Sequence, residues 1–323
     1  MAAVERARQR RAAKRVLCVM QKHHGLLVID KPGGMTSRDV VNRAQTWFPR
    51  STRVGHMGTL DPLATGVLVL GVGEGTRLTE LVQDMDKVYR AGILFGSRSD
   101  TDDADGVVTS VADVSPPSTD SLAAELARWI GEIDQVPPDY SAIKVSGQRA
   151  YDLSRQGDKL ALASRKAHIY YIETLQYAYP HLELEIRCGK GTYIRSLARD
   201  IGEALGCGGL IVSLRRLRIG PFTPEQAISL DAPTEEARGR LLPLALAVSR
   251  LPALRVNEDE ILRMRQGQAI PRTSQVAKGK HAVFAADETL VGIVEIDDEW
   301  VRPVRILNLD SGESPGPQRG HLR

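Results

Sequence analysis

One carboxylate in the N-terminal half has a sequence setting that could present it for chemistry. Asp61 lies in the glycine-flanked segment Gly55-His56-Met57-Gly58-Thr59-Leu60-Asp61-Pro62-Leu63-Ala64-Thr65-Gly66. Pro62 disfavours helical geometry at Asp61 and offers no N–H to its carboxylate. The result would be an extended chain with an ionised carboxylate, the kind of group that works as a nucleophile. An ordinary Asp-Pro turn is the alternative, and His56 is equally compatible with a structural role.

A second segment could supply a partner for that carboxylate. Gly189-Lys190-Gly191-Thr192-Tyr193-Ile194-Arg195 follows a predicted strand and begins a predicted helix. Thr192 is the predicted N-cap, which places Arg195 near the first turn, where the helix dipole disfavours a cation. A carboxylate close in space would compensate, and Asp61 is the candidate. Such a pair would keep Asp61 ionised and would lower its pKa by about 1–3 units.

Two other interpretations of this segment stay open from the residues alone. Arg195 could pair with Asp200 or Glu203 of the same predicted helix. The Gly-Lys-Gly run could instead bind a phosphate at the helix N-terminus, although the full P-loop pattern is absent.

An aromatic residue at the start of a predicted strand is a third candidate. Tyr89 shares a strand face with Ala91, Ile93 and Phe95, which is typical of a core position. Its cationic neighbours Lys87 and Arg90 also suit stacking on an unpaired nucleic-acid base, a contact worth about 1–3 kcal/mol. Both interpretations stay open.

The elements that would position these residues mix strands and helices irregularly. We predict strands over Gly25–Asp30, Leu68–Gly71, Tyr89–Phe95 and Leu182–Cys188, with helices after Thr36 or Ser37, near Thr76–Gln83, over Ser121–Ile130 and after Thr192. No strict strand-helix-strand repeat is present, and hairpin-like turns are frequent. The pattern favours an α+β fold with a mixed or antiparallel sheet over a doubly wound parallel sheet.

Prolines near Pro243–Pro252 indicate a boundary in the chain. After it, Glu258–Arg265 has a helical pattern, and His281–Ala285, Thr289–Ile296 and Val304–Leu307 have strand patterns typical of a small β-rich module. We therefore predict a basic arm over residues 1–20, a main domain over 21–250, a β-rich domain over 251–310 and a disordered tail over 311–323.

Positive charge is concentrated in two parts of the chain, although the net charge is only +3. Residues 1–53 hold twelve Lys and Arg against three acidic residues, and Arg187–Arg218 holds seven against two. The second run includes the compact cluster Arg215, Arg216 and Arg218. Such runs suit binding to a polyanion, or they are solvated faces.

Cysteine and acidic-residue patterns limit other classes of function. Three cysteines, Cys18, Cys188 and Cys207, have no C-x-x-C spacing, so neither a disulfide framework nor a zinc site is expected, and a reducing cytoplasm fits. We expect no secretory leader and no membrane-spanning helix. The acidic cluster within 100–105 lacks the EF-hand spacing for Ca²⁺, so we interpret it as a solvated turn.

Six segments together resemble the TruB family of tRNA pseudouridine synthases. They are Gly25–Gly33, Gly55–Gly66, Lys87–Arg90, Pro138–Lys144, Gly189–Arg195 and Leu214–Leu217, which follow one another in the family's order. The C-terminal segments Arg265–Gln268 and Val301–Arg305 are more weakly similar to a PUA RNA-binding module. The basic N-terminal arm is not part of the family's pattern.

The resemblance implies conversion of uridine 55 in the T loop of tRNA to pseudouridine, with one catalytic aspartate and no metal or organic cofactor. Asp61 occupies the aspartate's position. Tyr89 would stack on the base and accept its C5 proton, and Arg195 would pair with Asp61. Tyr193 and Leu214 would line the pocket, and His56 would help to hold the RNA loop. The expected partner is the tRNA T arm, and a cytoplasmic monomer is the default expectation.

Other functions compete with this one. A glycosidase would normally need a second carboxylate, and none is convincing in this sequence. A non-catalytic RNA-binding or ribosome-assembly factor of the same fold would share the basic surfaces but would be expected to lack Asp61. A guide-RNA-dependent enzyme on ribosomal RNA would share the aspartate loop.

Overall fold

The computed structural model of the chain describes residues 23–138, 144–145, 148–149, 162–273 and 275–309. The predicted basic arm and the predicted disordered tail lie outside these ranges, as does most of Pro138–Lys144. They stay predictions of the sequence, as do the domain boundaries.

Strands make up most of the regular structure. In chain order they are β1 (Gly25–Lys31), β2 (Val54–His56), β3 (Thr65–Val72), β4 (Lys87–Phe95), β5 (Ser97–Ser99), β6 (Val108–Ser110), β7 (Gly131–Gln135), β8 (Lys144–Val145), β9 (Gln148–Arg149), β10 (Arg165–Ala178), β11 (His181–Cys188), β12 (Gly209–Ile219), β13 (Ala253–Arg255), β14 (Ile270–Pro271), β15 (Gly279–Phe284), β16 (Leu290–Ile296) and β17 (Trp300–Ile306).

The α-helices are α1 (Ser37–Gln45), α2 (Thr79–Gln83), α3 (Thr119–Arg128), α4 (Ile194–Ala204), α5 (Thr234–Gly239) and α6 (Glu258–Arg265). Short 3₁₀ helices cover Gly73–Leu78, Pro224–Gln226 and Leu244–Val248. Among the described helices, none is long and apolar enough to cross a membrane.

The large sheet has the strand order β1-β3-β12-β4-β11-β10-β7, and β2 pairs with β3 beside this path. Between its described strands the pairings are antiparallel, except that β12 runs parallel to β3. This mixed sheet with flanking helices confirms the predicted α+β class.

Alternation of side chains explains why the large sheet has a buried face. In β11, Leu182, Leu184, Ile186 and Cys188 are buried and alternate with more exposed polar residues. Helix α1 begins where its sequence predicts, because the Thr36 side chain and Asp39 form a reciprocal capping box. Its apolar residues then join the same core.

A second sheet forms the β-rich C-terminal unit, in the order β13-β15-β16-β17-β14. Ala282 and Ile293 of this sheet, with Leu307 just after β17, share an apolar cluster with Leu26 and Val28 of β1. The predicted β-rich module is therefore present and packs against the back of the β1–β3 region. Its similarity to a PUA module stays a prediction.

The long strands β10 and β12 were not predicted from the sequence, and the predicted N-cap of one helix was wrong. Most side chains of β10 are exposed, and β12 carries Arg215, Arg216 and Arg218, so neither has a simple apolar alternation. Helix α4 has Tyr193, not Thr192, at its N-cap position, without a side-chain capping bond. The Thr192 hydroxyl instead donates to the carbonyl of Gly189 at 3.3 Å.

Candidate active site

The Asp61 loop joins β2 to β3 and is held by a lysine from another strand. Lys31, at the end of β1, is fully buried, and its ammonium donates to the carbonyl oxygens of Ala64 at 2.7 Å and Pro62 at 3.2 Å. Ser37 binds the other side of the loop, because its hydroxyl accepts from Leu60 N at 2.8 Å. These bonds surround Asp61, whose side chain stays 38% exposed. The loop therefore presents the carboxylate instead of burying it completely.

Arg195 is the cation beside that carboxylate, as the sequence predicts. Its Nε lies 2.9 Å from Asp61 Oδ2, and its Nη1 lies 3.4 Å from Asp103 Oδ2. Nη1 also donates to the carbonyl of Thr101 at 2.8 Å. The guanidinium is only 6% exposed. One buried cation is thus shared by two carboxylates that come from different loops.

The two local partners proposed for Arg195 are engaged elsewhere. Asp200 pairs with Arg199 at 2.9 Å, and Glu203 pairs with Arg98 at 2.6 Å. The alternative in which Arg195 pairs within its own helix is therefore wrong.

The pKa of Asp61 differs from the sequence-based expectation in its direction. Desolvation by burial raises the pKa of this carboxyl above its ordinary value, and the Arg195 guanidinium acts in the opposite direction without reversing the shift. The nearby carboxylate of Asp103 adds to the increase. Arg195 thus limits the rise that burial causes and does not bring the pKa below its usual range.

Asp61 and Arg195 line a cleft of about 300 Å³, at the lower end of the range for small-ligand pockets. Tyr89, Tyr193 and Leu214 line it as well, so the structure brings together five of the six predicted site residues. Tyr89 and Leu214 come from the neighbouring strands β4 and β12. The backbone of Tyr193 is fixed by Gln135, which bonds both its N–H and its carbonyl.

His56 is the predicted site residue that does not line this cleft. It is half-buried at the end of β2, opposite Leu70 of β3. Its proposed contact with RNA stays a prediction.

Burial and a neighbouring cation act in opposite directions on the Tyr89 phenol. Tyr89 is 9% exposed, and desolvation raises the pKa of its phenol, which Arg216 partly offsets. The phenol is therefore protonated at neutral pH. Stacking on the base and accepting its C5 proton, the two roles that the resemblance implies for Tyr89, stay predictions.

Several residues of the site were missed or misread in the sequence. Lys31, Lys87 and Arg216 are cations that their strands bury, with exposures of 0%, 8% and 1%. Lys87 and Arg216 also line the cleft. Burial lowers the pKa of both Lys31 and Lys87 to about 8. The distribution of charge along the sequence did not show that these three cations are buried. A lysine or arginine has the same residue type in the sequence whether its side chain is buried or solvated.

The compact cluster Arg215, Arg216 and Arg218 is not one basic patch. Arg215 makes a bidentate pair with Asp30, with both distances 2.9 Å, whereas Arg216 is buried. Arg218 turns to the buried Asp86 at 3.4 Å. The polyanion interpretation of this cluster therefore does not hold for the three residues together.

Three arginines that are partly exposed gather around one buried carboxylate, Asp86. Asp86 also accepts from Arg187 at 2.7 Å and contacts Arg250, so three half-exposed guanidiniums surround one carboxylate. These guanidiniums hold the pKa of the Asp86 carboxyl below its usual range, although desolvation acts to raise it. Lys190 on the lip of the cleft pairs with Asp84 at 2.7 Å.

The acidic turn within 100–105 is not simply solvated, which corrects the sequence interpretation. Asp102 and Asp103 are 9% and 4% exposed, and they pair with Arg199 and Arg195 respectively. Desolvation raises the pKa of Asp102 to about 6, against the effect of Arg199. Within the described ranges, no three His, Cys, Asp or Glu side chains are grouped to hold a metal ion.

Comparison with known proteins gives the family of this chain. It is 44% identical over 306 residues to the tRNA pseudouridine synthase B of Rhodospirillum rubrum, covering 90% of this chain and 98% of that protein. It is 42% identical over 305 residues to the protein of the same name from Ralstonia pickettii, covering 88% and 95%. The chain belongs to the TruB family of pseudouridine synthases.

Three family models match successive parts of this TruB member. "TruB family pseudouridylate synthase (N terminal domain)" matches residues 46–194, which include Asp61 and Tyr89. "tRNA pseudouridylate synthase B C-terminal domain" matches residues 195–238, and "Pseudouridine synthase II TruB, C-terminal" matches residues 252–307.

Solved structures share the fold of this TruB chain. The crystal structure of a Cbf5-Nop10-Gar1 complex matches with a TM-score of 0.70 at 24% identity, covering 91% of this chain and 88% of that one. An H/ACA RNP bound to a substrate RNA containing 2'-deoxyuridine matches with a TM-score of 0.67 at 23% identity, covering 88% and 86%.

Proposed function

We propose that this TruB-family enzyme converts uridine 55 in the T loop of tRNA to pseudouridine, with Asp61 as its catalytic carboxylate. The observation that supports this most directly is the pairing of Asp61 with buried Arg195 at 2.9 Å inside a cleft that Tyr89 also lines. The relatives at 42–44% identity carry the name tRNA pseudouridine synthase B. Position 55 comes from the resemblance of the Gly55–Gly66 loop to the family's motif.

The reaction rearranges one glycosidic bond. The N1–C1′ bond of the uridine breaks, the uracil turns while it is held, a C5–C1′ bond forms, and the proton on C5 is lost while N1 gains one. The reaction consumes no oxidant, reductant or group donor, so a carboxylate in a shaped pocket suffices, and we propose that no metal or organic cofactor takes part.

A carboxylate can promote this rearrangement in three ways. It can attack C1′, as in retaining glycosidases, it can remove a sugar proton to give a glycal, or it can add to C6 of the ring. Each way begins with an ionised Asp61. Arg195 serves all three, because its charge opposes the burial that would otherwise keep Asp61 protonated.

The other predicted residues have roles in holding the base. We propose that Tyr89 stacks on the uracil, and that Tyr193 and Leu214 form the remaining walls of the cleft. To enter the cleft the nucleotide must leave its stack, which costs a few kcal/mol and less from a loop than from a duplex. Stacking on Tyr89 and contacts between the phosphates and basic residues such as Lys190 can offset this cost.

The substrate of this site is RNA with a phosphate backbone, so we propose the tRNA T arm as partner, bound by a monomer in the cytoplasm. Lys190, which lines the cleft, and the partly exposed arginines around Asp86 are the cations that we propose meet the phosphate backbone. Their contribution to affinity would decrease with salt.

The test is tritium release from tRNA transcript labelled at C5 of uridine. The wild type should release tritium from uridine 55, and Asp61→Asn should release none while it binds tRNA with an unchanged dissociation constant. Asp231→Asn is the matched control, because that carboxylate is 92% exposed. Turnover by Asp61→Asn would refute the catalytic assignment.

The same assay separates the competing functions. Binding of tRNA by the wild type without any tritium release would indicate a non-catalytic RNA-binding factor. Release only after a guide RNA and protein partners are added would indicate a guide-dependent enzyme. Release from a tRNA variant with cytidine at position 55 would refute the proposed position.

A further inference from the structure

Arg216 is a buried cation for which the proposed reaction has no role so far. It lies in the middle of β12, and its residue exposure is 1%. Among the described residues, no carboxylate lies within salt-bridge distance of its guanidinium. Burying an ion without a counter-charge costs several kcal/mol unless its donors are satisfied. The position therefore calls for an explanation beyond packing.

The guanidinium is satisfied by backbone carbonyls on both sides of the aspartate loop. Its Nε donates to Val67 at 2.8 Å, just after the loop. Its Nη2 and Nη1 donate to Gly58 at 3.2 Å and to Thr59 at 3.3 Å, just before Asp61. One planar group thus fixes the two ends of the loop that carries the carboxylate.

The strand register places the same residue against Tyr89. Arg216 lies opposite Tyr89 of β4 on one side and opposite Gly66 of β3 on the other. Gly66 has φ +97°, and a Cβ there would lie 2.3 Å from the carbonyl oxygen of Arg216, so only glycine permits this approach. The Arg216 guanidinium also opposes the burial that raises the pKa of the Tyr89 phenol.

We propose that Arg216 is a positioning residue that holds Tyr89 and the Asp61 loop in one fixed arrangement, so that a base stacked on Tyr89 lies within reach of the carboxylate. The inference rests on the proposed function, and it adds a residue that couples two parts of the site. Arg216 acts through Tyr89 and through the loop, not on the reacting atoms.

Arginine suits this task because its fork presents five N–H donors in a fixed plane. Lysine would keep the charge but could not reach the carbonyls of Val67, Gly58 and Thr59 from one plane. Methionine would keep much of the volume while removing both charge and donors. Comparison of Arg216→Lys with Arg216→Met therefore separates the effect of the planar donor arrangement from the effect of the positive charge.

Arg215 provides a matched control at the adjacent position of the same strand. Its side chain is 38% exposed and pairs with Asp30 at the surface. Arg215→Met removes a guanidinium and an ion pair from β12 but none of the three hydrogen bonds that Arg216 donates to carbonyls around the aspartate loop. Its single-turnover rate should stay close to that of the wild type.

The experiment is a double-mutant cycle on single-turnover tritium release, with Arg216→Met, Tyr89→Phe and the double variant. We expect Arg216→Met to lower the rate about 100-fold, with tRNA affinity changed by less than about 3-fold. Tyr89→Phe should lower it about 10-fold, and the double variant about 100-fold instead of the roughly 1,000-fold of independent effects. Arg216→Lys should restore little of the rate.

Each result has a defined meaning. An additive cycle, or a rate for Arg216→Met like that of Arg215→Met, would overturn the inference while leaving the proposed function in place. Absence of tritium release by the wild type would instead overturn the proposed function. Should Arg216→Met fail to fold by circular dichroism, the same cycle is completed with Arg216→Lys, for which additivity again counts against coupling.

Discussion

Arg195 Nε lies 2.9 Å from Asp61 Oδ2, and the guanidinium that makes this contact is almost completely buried. Helix α4 brings the cation to the cleft, and the loop between β2 and β3 brings the carboxylate. The Arg195 charge favours the ionised form of the Asp61 carboxyl in a place where burial alone would favour its neutral form.

Removing Arg195 should change the pH dependence of catalysis. Because Arg195 opposes the burial that raises the pKa of Asp61, Arg195→Ala should raise that pKa further. The rate is lost as pH falls through the pKa, so the acid limb of the single-turnover profile should move to higher pH. We expect a decrease in rate of roughly 100-fold at pH 7 and a smaller effect on tRNA affinity. Arg195→Lys, which keeps the charge, should show a smaller displacement, and an unmoved acid limb would refute this account.

Tyr89 should tolerate loss of its hydroxyl better than loss of its ring. Stacking of a base on an aromatic ring contributes about 1–3 kcal/mol, so Tyr89→Leu should lower the rate by about 5–150-fold beyond the effect of Tyr89→Phe. Single-turnover rates of the two variants provide the measurement. Equal rates for both would show that the ring face is not used.

Asp102 should contribute a distinctive pH dependence to stability. Its folded-state pKa is raised to about 6, so the native state binds a proton that the unfolded state has released. This contribution is fully present below the unfolded pKa and is lost as pH rises toward 6. Between pH values below the unfolded pKa and above the folded pKa, the contribution of Asp102 to the free energy of unfolding differs by about 3 kcal/mol.

Urea unfolding of Asp102→Asn between pH 4 and 6 measures that contribution. Relative to the wild type, this variant should lack the decrease in the free energy of unfolding as pH rises across the interval. Asp105→Asn, an exposed position of the same turn, is the control and should follow the wild type. Parallel curves for Asp102→Asn and wild type would contradict the expectation.

Removing residues 6–15 should weaken tRNA binding without changing the chemistry. This part of the sequence carries six Lys and Arg and no acidic residue. Each basic residue that contacts a phosphate contributes about one unit to the slope of log affinity against log salt, so the deletion should flatten that slope. Filter binding at several salt concentrations, beside single-turnover rates, tests this. An unchanged slope would exclude the arm from RNA contact.

Local sequence patterns predicted much of the secondary structure. Leu182–Cys188 alternates because one face of its strand is buried, and Thr36 with Asp39 defines the start of α1 through local hydrogen bonds. Helix α6 covers the predicted Glu258–Arg265. In these cases the determining contacts lie within a few residues, so the sequence contains the signal.

Strand β12 shows where such patterns fail. Its arginines hide the apolar alternation, and its partners β3 and β4 are distant in sequence. The interpretation of residues 100–105 as a solvated turn was wrong for a similar reason. The cations that pair with Asp102 and Asp103 come from helix α4, which is distant in sequence.

From the sequence alone, Asp61 is a candidate for a presented carboxylate, Arg195 is a cation that calls for an acidic partner, and the chain resembles one family. Only the tertiary structure decided that Arg195 also pairs with Asp103, that His56 stays outside the cleft, and that Arg216 is buried. The physical reason is that residue type and spacing express local preferences, whereas the burial of a charge depends on which distant strands and loops enclose it.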